Sequence, residues 1–142
     1  MKRAENQFKL YLPSLSINEG MARSAVAAFV AQLNPTIEEL ADIKCAVSEA
    51  VTNAIVHGYK FTQGEIYIGV KYYSDRTVSI EIKDKGCGIE DVKLAMTPLF
   101  TTDKSGERSG MGFAVMQTFM DKLDVRSKRE KGVRVVMTKK LS

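Results

Sequence analysis

The sequence has few of the residues that mark secreted, membrane-spanning or metal-rich proteins. Its 142 residues include three prolines, two cysteines, one histidine and no tryptophan. Cys45 and Cys87 are too few to form the disulfide framework of a small secreted domain, and they lack the spacing of metal ligands. No apolar run approaches the roughly 20 residues that cross a bilayer, and no apolar segment follows the basic N-terminus. We therefore expect a cytoplasmic protein that does not associate with a membrane.

The charge of the chain is moderate and is concentrated near its C-terminal end. The net charge is +4, and 44% hydrophobic with 27% charged residues is typical of a soluble globular protein. The clustered basic residues are Arg126, Lys128, Arg129, Lys131, Arg134, Lys139 and Lys140. Because no aromatic residues are interleaved with them, they indicate a solvated or protein-facing surface without direct nucleic-acid contact. The length has room for a single domain, residues 1–142.

Apolar periodicity predicts an α+β fold, a two-layer sandwich with helices on one face of a mixed, mainly antiparallel sheet. The predicted strands are residues 8–12, 66–72, 78–82, 125–128 and 133–138. Two helices follow capping boxes, one formed by Ser16 with Glu19 and one by Thr36 with Glu39. The second of these helices extends to Gly58, and a third covers residues 111–123.

A carboxylate and an amide lie one helical turn apart in the second predicted helix. Glu49 and Asn53 are four residues apart and share a face, and His57 continues the row. One amide oxygen from Asn53, together with phosphate oxygens, would suit Mg²⁺. Glu49 could accept a proton from a hydroxyl that attacks a terminal phosphate. A polar helix face, with His57 complementing the helix C-terminus, is the alternative interpretation.

Asp84 ends a predicted strand on the same face as the strand's apolar residues. Ile80 and Ile82 alternate with polar neighbours, and Asp84 continues their parity towards the buried layer. A buried carboxylate needs a hydrogen-bond donor, which the exocyclic amine of a purine could supply. Gly86 and Gly88 would let the backbone pass close to the base. Alternatively, the strand ends one residue early and Asp84 is a turn residue.

A glycine-rich turn precedes the third predicted helix and consists of Ser109, Gly110, Met111 and Gly112. Free backbone N–H groups at a helix N-terminus attract anions, so the turn is typical of a phosphate site, although a glycine-eased helix start is the alternative. The turn is not a P-loop, because no Gly-Lys-Ser/Thr follows it. The guanidinium of Arg108 could stabilise charge on a terminal phosphate.

The segment before this turn is long and lacks clear periodicity. Between Gly86 and Gly110 only residues 91–95 fit a short helix, and unstructured loops of this length are usually functional or mobile. We expect residues around 96–110, which include Thr101, to form a mobile lid that orders over a nucleotide.

The three motifs occur in an order that resembles a known ATPase superfamily. Glu-x-x-x-Asn, Asp-x-Gly-x-Gly and Gly-x-Gly resemble the N, G1 and G2 boxes of gyrase, heat-shock chaperones, histidine kinases and the MutL repair protein. Within this superfamily, the chain is similar to the bacterial anti-sigma factor kinases. The stretches that carry the resemblance are residues 48–59, 98–102 and 107–113, and the likeness extends over essentially the whole chain.

The resemblance implies a Bergerat-type ATP-binding fold and an ATP-dependent protein serine kinase that uses ATP/ADP and Mg²⁺. Glu49 would be the general base, Asn53 the magnesium ligand and Asp84 the adenine contact. Arg108 would act at the terminal phosphates as a second catalytic residue. The residues implied to contact the nucleotide are Asn53, Asp84, Gly86, Gly88, Thr101, Ser109, Gly110, Met111 and Gly112.

The resemblance also implies protein partners. Such a kinase binds and inhibits a sporulation sigma factor, phosphorylates and inactivates a small anti-anti-sigma factor, and works as a homodimer. Arg23 matches a family position that contacts both proteins, and it lies off the apolar stripe of its helix; a solvated arginine is the alternative. Two other functions remain open, namely the equivalent kinase for a general-stress sigma factor and a non-catalytic, nucleotide-gated binding module.

Two places depart from the family pattern. Asp103 and Lys104 follow the lid threonines where relatives often have Lys-Pro. Val133 follows Gly132 where a threonine is common, so a hydroxyl that could support the adenine contact is replaced by a methyl group.

Overall fold

Two layers make up the computed structural model, which describes residues 3–60, 62–89, 112–128 and 131–142. The strands in these ranges are β1 (Asn6–Pro13), β2 (Glu65–Tyr72), β3 (Thr77–Asp84), β4 (Lys122–Lys128) and β5 (Gly132–Lys140). The helices are α1 (Asn18–Ala31), α2 (Ile37–Asn53) and α3 (Gly112–Phe119), and a π-helical turn, Ala54–Gly58, continues α2. The predicted lid and the predicted short helix at 91–95 lie outside the described residues.

The strands form one sheet in the order β1-β2-β3-β5-β4, and every pairing among them is antiparallel. Alternate residues of each strand point to the same face. The apolar residues of β2 and β3 on the helix-covered face are buried, namely Ile66, Ile68, Val70, Val78, Ile80 and Ile82. The α+β class is confirmed.

The core lies between this face and the three helices, and α2 packs against both α1 and α3. The fully buried side chains of α1 and α2 include Val26, Val30, Ile43, Val47 and Val51. None of the helices in the described ranges has the length and apolar composition that a membrane span requires.

The predicted capping box at Ser16 is wrong. The N-cap residue of α1 is Ile17, which has helical dihedral angles and no side-chain cap. The chain instead enters α1 through a backbone turn, in which the N–H of Asn18 donates to the Leu15 carbonyl at 2.9 Å. The Glu19 carboxylate is consequently available to accept a hydrogen bond from Ser48 of α2.

The second predicted capping box is confirmed. The N–H of Glu39 donates to the Thr36 hydroxyl at 3.0 Å, and the N–H of Thr36 donates to the Glu39 carboxylate at 2.9 Å. A second oxygen of Glu39 accepts from the backbone N–H of Ser142 at 2.8 Å, so the same side chain secures the C-terminal end of the chain.

The third helix is shorter than its apolar pattern predicts. It ends at Phe119, and Leu123 belongs to β4. The Lys139 ammonium donates to the Phe119 carbonyl at 2.7 Å, and the N–H of Asp121 donates to the Thr138 carbonyl at 2.9 Å. The first bond with β5 satisfies a carbonyl at the end of the helix, and the second begins the pairing of the next strand with β5.

Thr36→Ala should lower the free energy of unfolding by about 1 kcal/mol, because it removes a side-chain N-cap. Ser16→Ala is the matched control, and its effect should stay within about 0.5 kcal/mol, because Ser16 makes no side-chain cap here. Urea unfolding of the two variants beside the wild type measures both values. Equal losses in the two variants would contradict the assignment of the caps.

Candidate functional site

Asp84 is a buried carboxylate at the end of β3. It is 8% exposed and lies on the same face as Ile80 and Ile82, as strand parity predicts. The N–H of Gly86 donates to its Oδ1 atom at 2.8 Å. Burial raises the pKa of the Asp84 carboxyl to about 6, while hydrogen bonds from the backbone N–H groups of Gly86 and Val133 act in the opposite direction.

Three glycines pack against Asp84 or against one another, and none of these positions has room for a side chain. A Cβ atom at Gly58 would lie 3.0 Å from the Asp84 carboxyl carbon, and one at Gly86 would lie 2.2 Å from the Gly58 carbonyl oxygen. Gly132, at φ +92°, would place a Cβ atom 2.0 Å from the Asp84 carbonyl oxygen. The N–H of Cys87 donates to the same Gly58 carbonyl at 2.9 Å. The end of the first motif is therefore packed directly on the second motif.

The third motif meets the first at Asn53. A Cβ atom at Gly112 would lie 2.9 Å from Nδ2 and 3.0 Å from Oδ1 of the Asn53 side chain. Gly112 is the first residue of α3, so the Asn53 amide faces the N-terminus of that helix. The positive end of a helix dipole attracts anions, and the amide oxygen beside it is a hard donor.

Glu49 and Asn53 lie four residues apart near the end of α2, as the sequence predicts, and His57 lies in the π-helical turn that follows. From Ala54 to Gly58 the backbone forms a π turn, in which the N–H of Tyr59 donates to the Ala54 carbonyl at 2.8 Å. π turns of this kind occur frequently at functional sites.

Part of the predicted site lies outside the described residues. This part consists of Arg108, Thr101, Ser109, Gly110 and Met111. Within the described ranges, Glu49 and Asn53 lie on α2, Asp84 ends β3 with Gly86 and Gly88 in the segment after it, and Gly112 begins α3. Gly88 has φ +75°, a conformation that favours glycine. Arg23 lies on α1.

Two residues that the sequence did not single out hold the glycine loop in place. The Tyr59 hydroxyl accepts from the N–H of Lys85 at 2.7 Å and donates to the Glu65 carbonyl at 2.6 Å. The Ser127 hydroxyl accepts from the N–H of Ile89 at 2.7 Å and donates to the Gly132 carbonyl at 2.8 Å. The bonds from Lys85 to Tyr59 and from Ile89 to Ser127 join residues that are 26 and 38 positions apart, so local spacing carries no signal for them.

The opposite face of the sheet carries a cavity of about 600 Å³. One residue from each strand forms a row across it, namely Tyr11, Tyr67, Lys83, Arg134 and Arg126. The Lys83 ammonium lies 4.5 Å from the centre of the Tyr67 ring. Tyr11 and Tyr67 therefore line the same cavity as Arg126 and Arg134, although these residues lie on strands that are distant in sequence. The cavity borders Asp84 but includes neither Glu49 nor Asn53, so it is distinct from the pocket that the motifs describe.

The arrangement on the helix-covered side fits a purine nucleotide with a metal ion. Asp84 offers an acceptor to an exocyclic amine, and Asn53 offers one oxygen near a helix N-terminus. No group of three His, Cys, Asp or Glu side chains in the described ranges could hold a metal ion. A single amide ligand suits Mg²⁺, which takes its remaining ligands from phosphates and water.

Comparison with known proteins agrees with this geometry. A family model described as histidine kinase-like ATPase domain matches residues 13–139. The chain belongs to the histidine kinase-like ATPase family. Its relatives include a protein named anti-sigma F factor from Clostridium perfringens (strain 13 / Type A), which is 50% identical over 138 residues, 97% of this chain and 99% of the relative. Another anti-sigma F factor, from Thermoanaerobacter sp. (strain X514), is 58% identical over 134 residues, 94% of this chain and 93% of the relative.

Two solved structures share the fold of this chain. The RsbU and RsbW domains of Rv1364c from Mycobacterium tuberculosis match with a TM-score of 0.70 at 19% identity, over 96% of this chain and 32% of that chain. The catalytic domain of the histidine kinase ThkA matches with a TM-score of 0.59 at 17% identity, over 96% of both chains. At these identities the likeness concerns the fold alone, and it confirms the predicted class.

The raised pKa of Asp84 predicts how the stability of the nucleotide-free protein depends on pH. Below the ordinary value of 3.8 the carboxyl is protonated in the folded and the unfolded state, and its contribution to stability is fully present. As the pH rises through about 6, the buried carboxyl ionises and this contribution is lost, by up to about 3 kcal/mol. Asp84→Asn should remove this part of the pH dependence.

Chemical unfolding at a series of pH values measures the effect. Asp124→Asn is the control, because Asp124 is an exposed carboxylate of β4 that pairs with Arg126 at 3.2 Å. The free energy of unfolding of Asp124→Asn should stay within about 0.5 kcal/mol of the wild-type value between pH 4 and 7. If Asp84→Asn also followed the wild-type curve, the buried carboxyl would not be the titrating group.

Proposed function

We propose that this chain is an ATP-dependent protein serine kinase that also binds a sigma factor and phosphorylates an anti-anti-sigma factor. Its membership of the ATPase family and its relatives named anti-sigma F factor support this function. A cytoplasmic location and a homodimeric state belong to the same proposal.

The observation that carries the proposal is the direct contact between motifs that are distant in sequence. Gly58 lies against the Asp84 carboxyl and the Gly86 backbone, and Asn53 lies against Gly112. These contacts support a single nucleotide site, with Asp84 as the purine acceptor at one end and the N-terminus of α3 as the phosphate-binding end.

Each residue has one task in this proposal. Asp84 accepts a hydrogen bond from the adenine amine, beside the close backbone of Gly86 and Gly88. Asn53 holds Mg²⁺, which when bound neutralises phosphate charge. Glu49 takes the proton of the substrate serine hydroxyl as the oxygen attacks the terminal phosphate. The remaining phosphate contacts are assigned to Arg108, Thr101, Ser109, Gly110, Met111 and Gly112.

In this scheme, replacing Asp84 by another hydrogen-bonding group would weaken the binding of adenine. An ionised carboxylate is acceptor-only, whereas an amide presents donors towards the adenine amine. The backbone N–H groups of Gly86 and Val133 hold the carboxylate in its accepting state at neutral pH, against the effect of burial.

Glu49→Ala should reduce phosphate transfer from ATP to a purified anti-anti-sigma protein by about 100-fold or more, because it removes the general base. Its affinity for ADP should stay within about twofold of wild type, since Glu49 does not hold the nucleotide in this scheme. Glu38→Ala, at an exposed position in the first turn of the same helix, is the matched control and should retain full transfer.

Transfer of labelled phosphate and ADP calorimetry give the two measurements. Undiminished transfer by Glu49→Ala would contradict the assigned base. Nucleotide binding without any transfer by the wild type would favour a non-catalytic binding module. Preference for a general-stress sigma factor in a direct binding competition would identify the related regulator instead.

A further inference from the structure

Glu19 contacts one residue on each of two helices, namely Arg23 on α1 and Ser48 on α2. The Ser48 hydroxyl donates to Oε1 of Glu19, and Nη1 of Arg23 lies 3.6 Å from the same oxygen. The Glu19 side chain is 24% exposed and the Arg23 side chain is 42% exposed. One half-buried carboxylate on the first turn of α1 therefore contacts both the predicted docking arginine and helix α2.

The position of Ser48 gives this contact its significance. Ser48 directly precedes Glu49 and lies one and a half turns before Asn53 on the same helix. The buried residues of α1 and α2 are apolar: Ala22, Val26, Val30, Ile43, Ala46, Val47, Ala50 and Val51. Apolar packing is non-directional, whereas a hydrogen bond constrains direction as well as distance. The Glu19–Ser48 bond therefore fixes the start of α1 relative to the part of α2 that carries the site.

Charge explains why a carboxylate stands at this position. Arg23 is an i+4 partner of Glu19, and such a pair holds a long arginine side chain near one orientation. A ligand carboxylate that binds Arg23 must approach its exposed side, because Glu19 repels it from the other side. When Arg23 turns towards that ligand, the Ser48 hydroxyl still satisfies the Glu19 oxygen.

We propose that Glu19 is a positioning residue, which orients Arg23 for docking of an acidic protein partner and ties that docking surface to the helix of Glu49 and Asn53. The inference rests on the proposed function and on the family resemblance, which implies that Arg23 contacts the protein partners. Glu19 touches neither nucleotide nor substrate in this scheme. Its loss should therefore lower the apparent affinity for the protein substrate and leave the rate of the chemical step unchanged.

Glu19→Gln is the test variant, because the amide keeps an oxygen acceptor for Ser48 and loses the charge that orients Arg23. We expect KM for the anti-anti-sigma protein, and its directly measured Kd, to rise about two- to fivefold, the range of a part-exposed ion pair. The kcat and the Kd for ADP should stay within about 1.5-fold, well below the effect of one ion pair. Glu38→Gln is the matched control.

A double-mutant cycle separates positioning from a purely structural role. In an Arg23→Ala background, Glu19→Gln should have no further effect on the partner's Kd, because the residue that it positions is gone. Ser48→Ala is an independent second variant, which should also raise the Kd for the partner protein. Thermal unfolding of every variant shows that the folded protein is being measured.

Each result supports or overturns the inference. An equal rise in Kd with and without Arg23, a wild-type Kd in Glu19→Gln, or a fall in kcat at unchanged KM would overturn it. A wild type that binds the partner without phosphorylating it contradicts the kinase proposal alone, since the cycle is still read from Kd. A wild type that binds no partner removes the proposed function together with this inference.

Discussion

The Asp84 carboxylate is almost entirely buried, and the backbone of Gly58 approaches it closely enough to leave no room for a side chain at that position. Removing a carboxylate from water is costly unless donors replace the water. In the part of the chain that the structure describes, the backbone N–H groups of Gly86 and Val133 do so, and they do not fully offset the effect of burial, since the pKa remains raised. The protein thus retains a carboxylate that gains from one more donor. In the proposed function, the exocyclic amine of a bound purine would supply that donor, so the unfavourable burial of Asp84 would favour binding of such a ligand.

The same constraint determines the neighbouring backbone. Gly86 packs on the carbonyl of Gly58, and Gly58 packs on Asp84, so the end of the α2 helix must come very close to β3. The π turn at Ala54–Gly58 widens the last helical turn at this point, and the Gly58 carbonyl accepts from Cys87. Closing the first motif onto the second also fixes Asn53, one turn earlier, against the start of α3.

Much of this could be predicted from the sequence because it depends on local periodicity. Parity along β3 placed Asp84 inward, and the capping box at Thr36 located the start of α2. The other capping box failed at Ser16, since the chain enters α1 through a backbone turn and Glu19 bonds to Ser48 instead. The π turn could not be predicted, because its apolar residues also fit an α-helix. Contacts of Ser127 with the glycine loop depend on strand pairing between distant segments.

Glu19 shows why residue type alone does not reveal a role. A Ser-x-x-Glu sequence predicts a cap, yet both residues also suit other partners, and tertiary packing decides between them. Once α1 packs on α2, Ser48 offers Glu19 a hydrogen bond in a less exposed setting than the helix start would. The carboxylate then holds Arg23 on its outer side and α2 on its inner side. A surface arginine and a helix that carries catalytic candidates are thereby linked through one side chain, without any shared sequence motif.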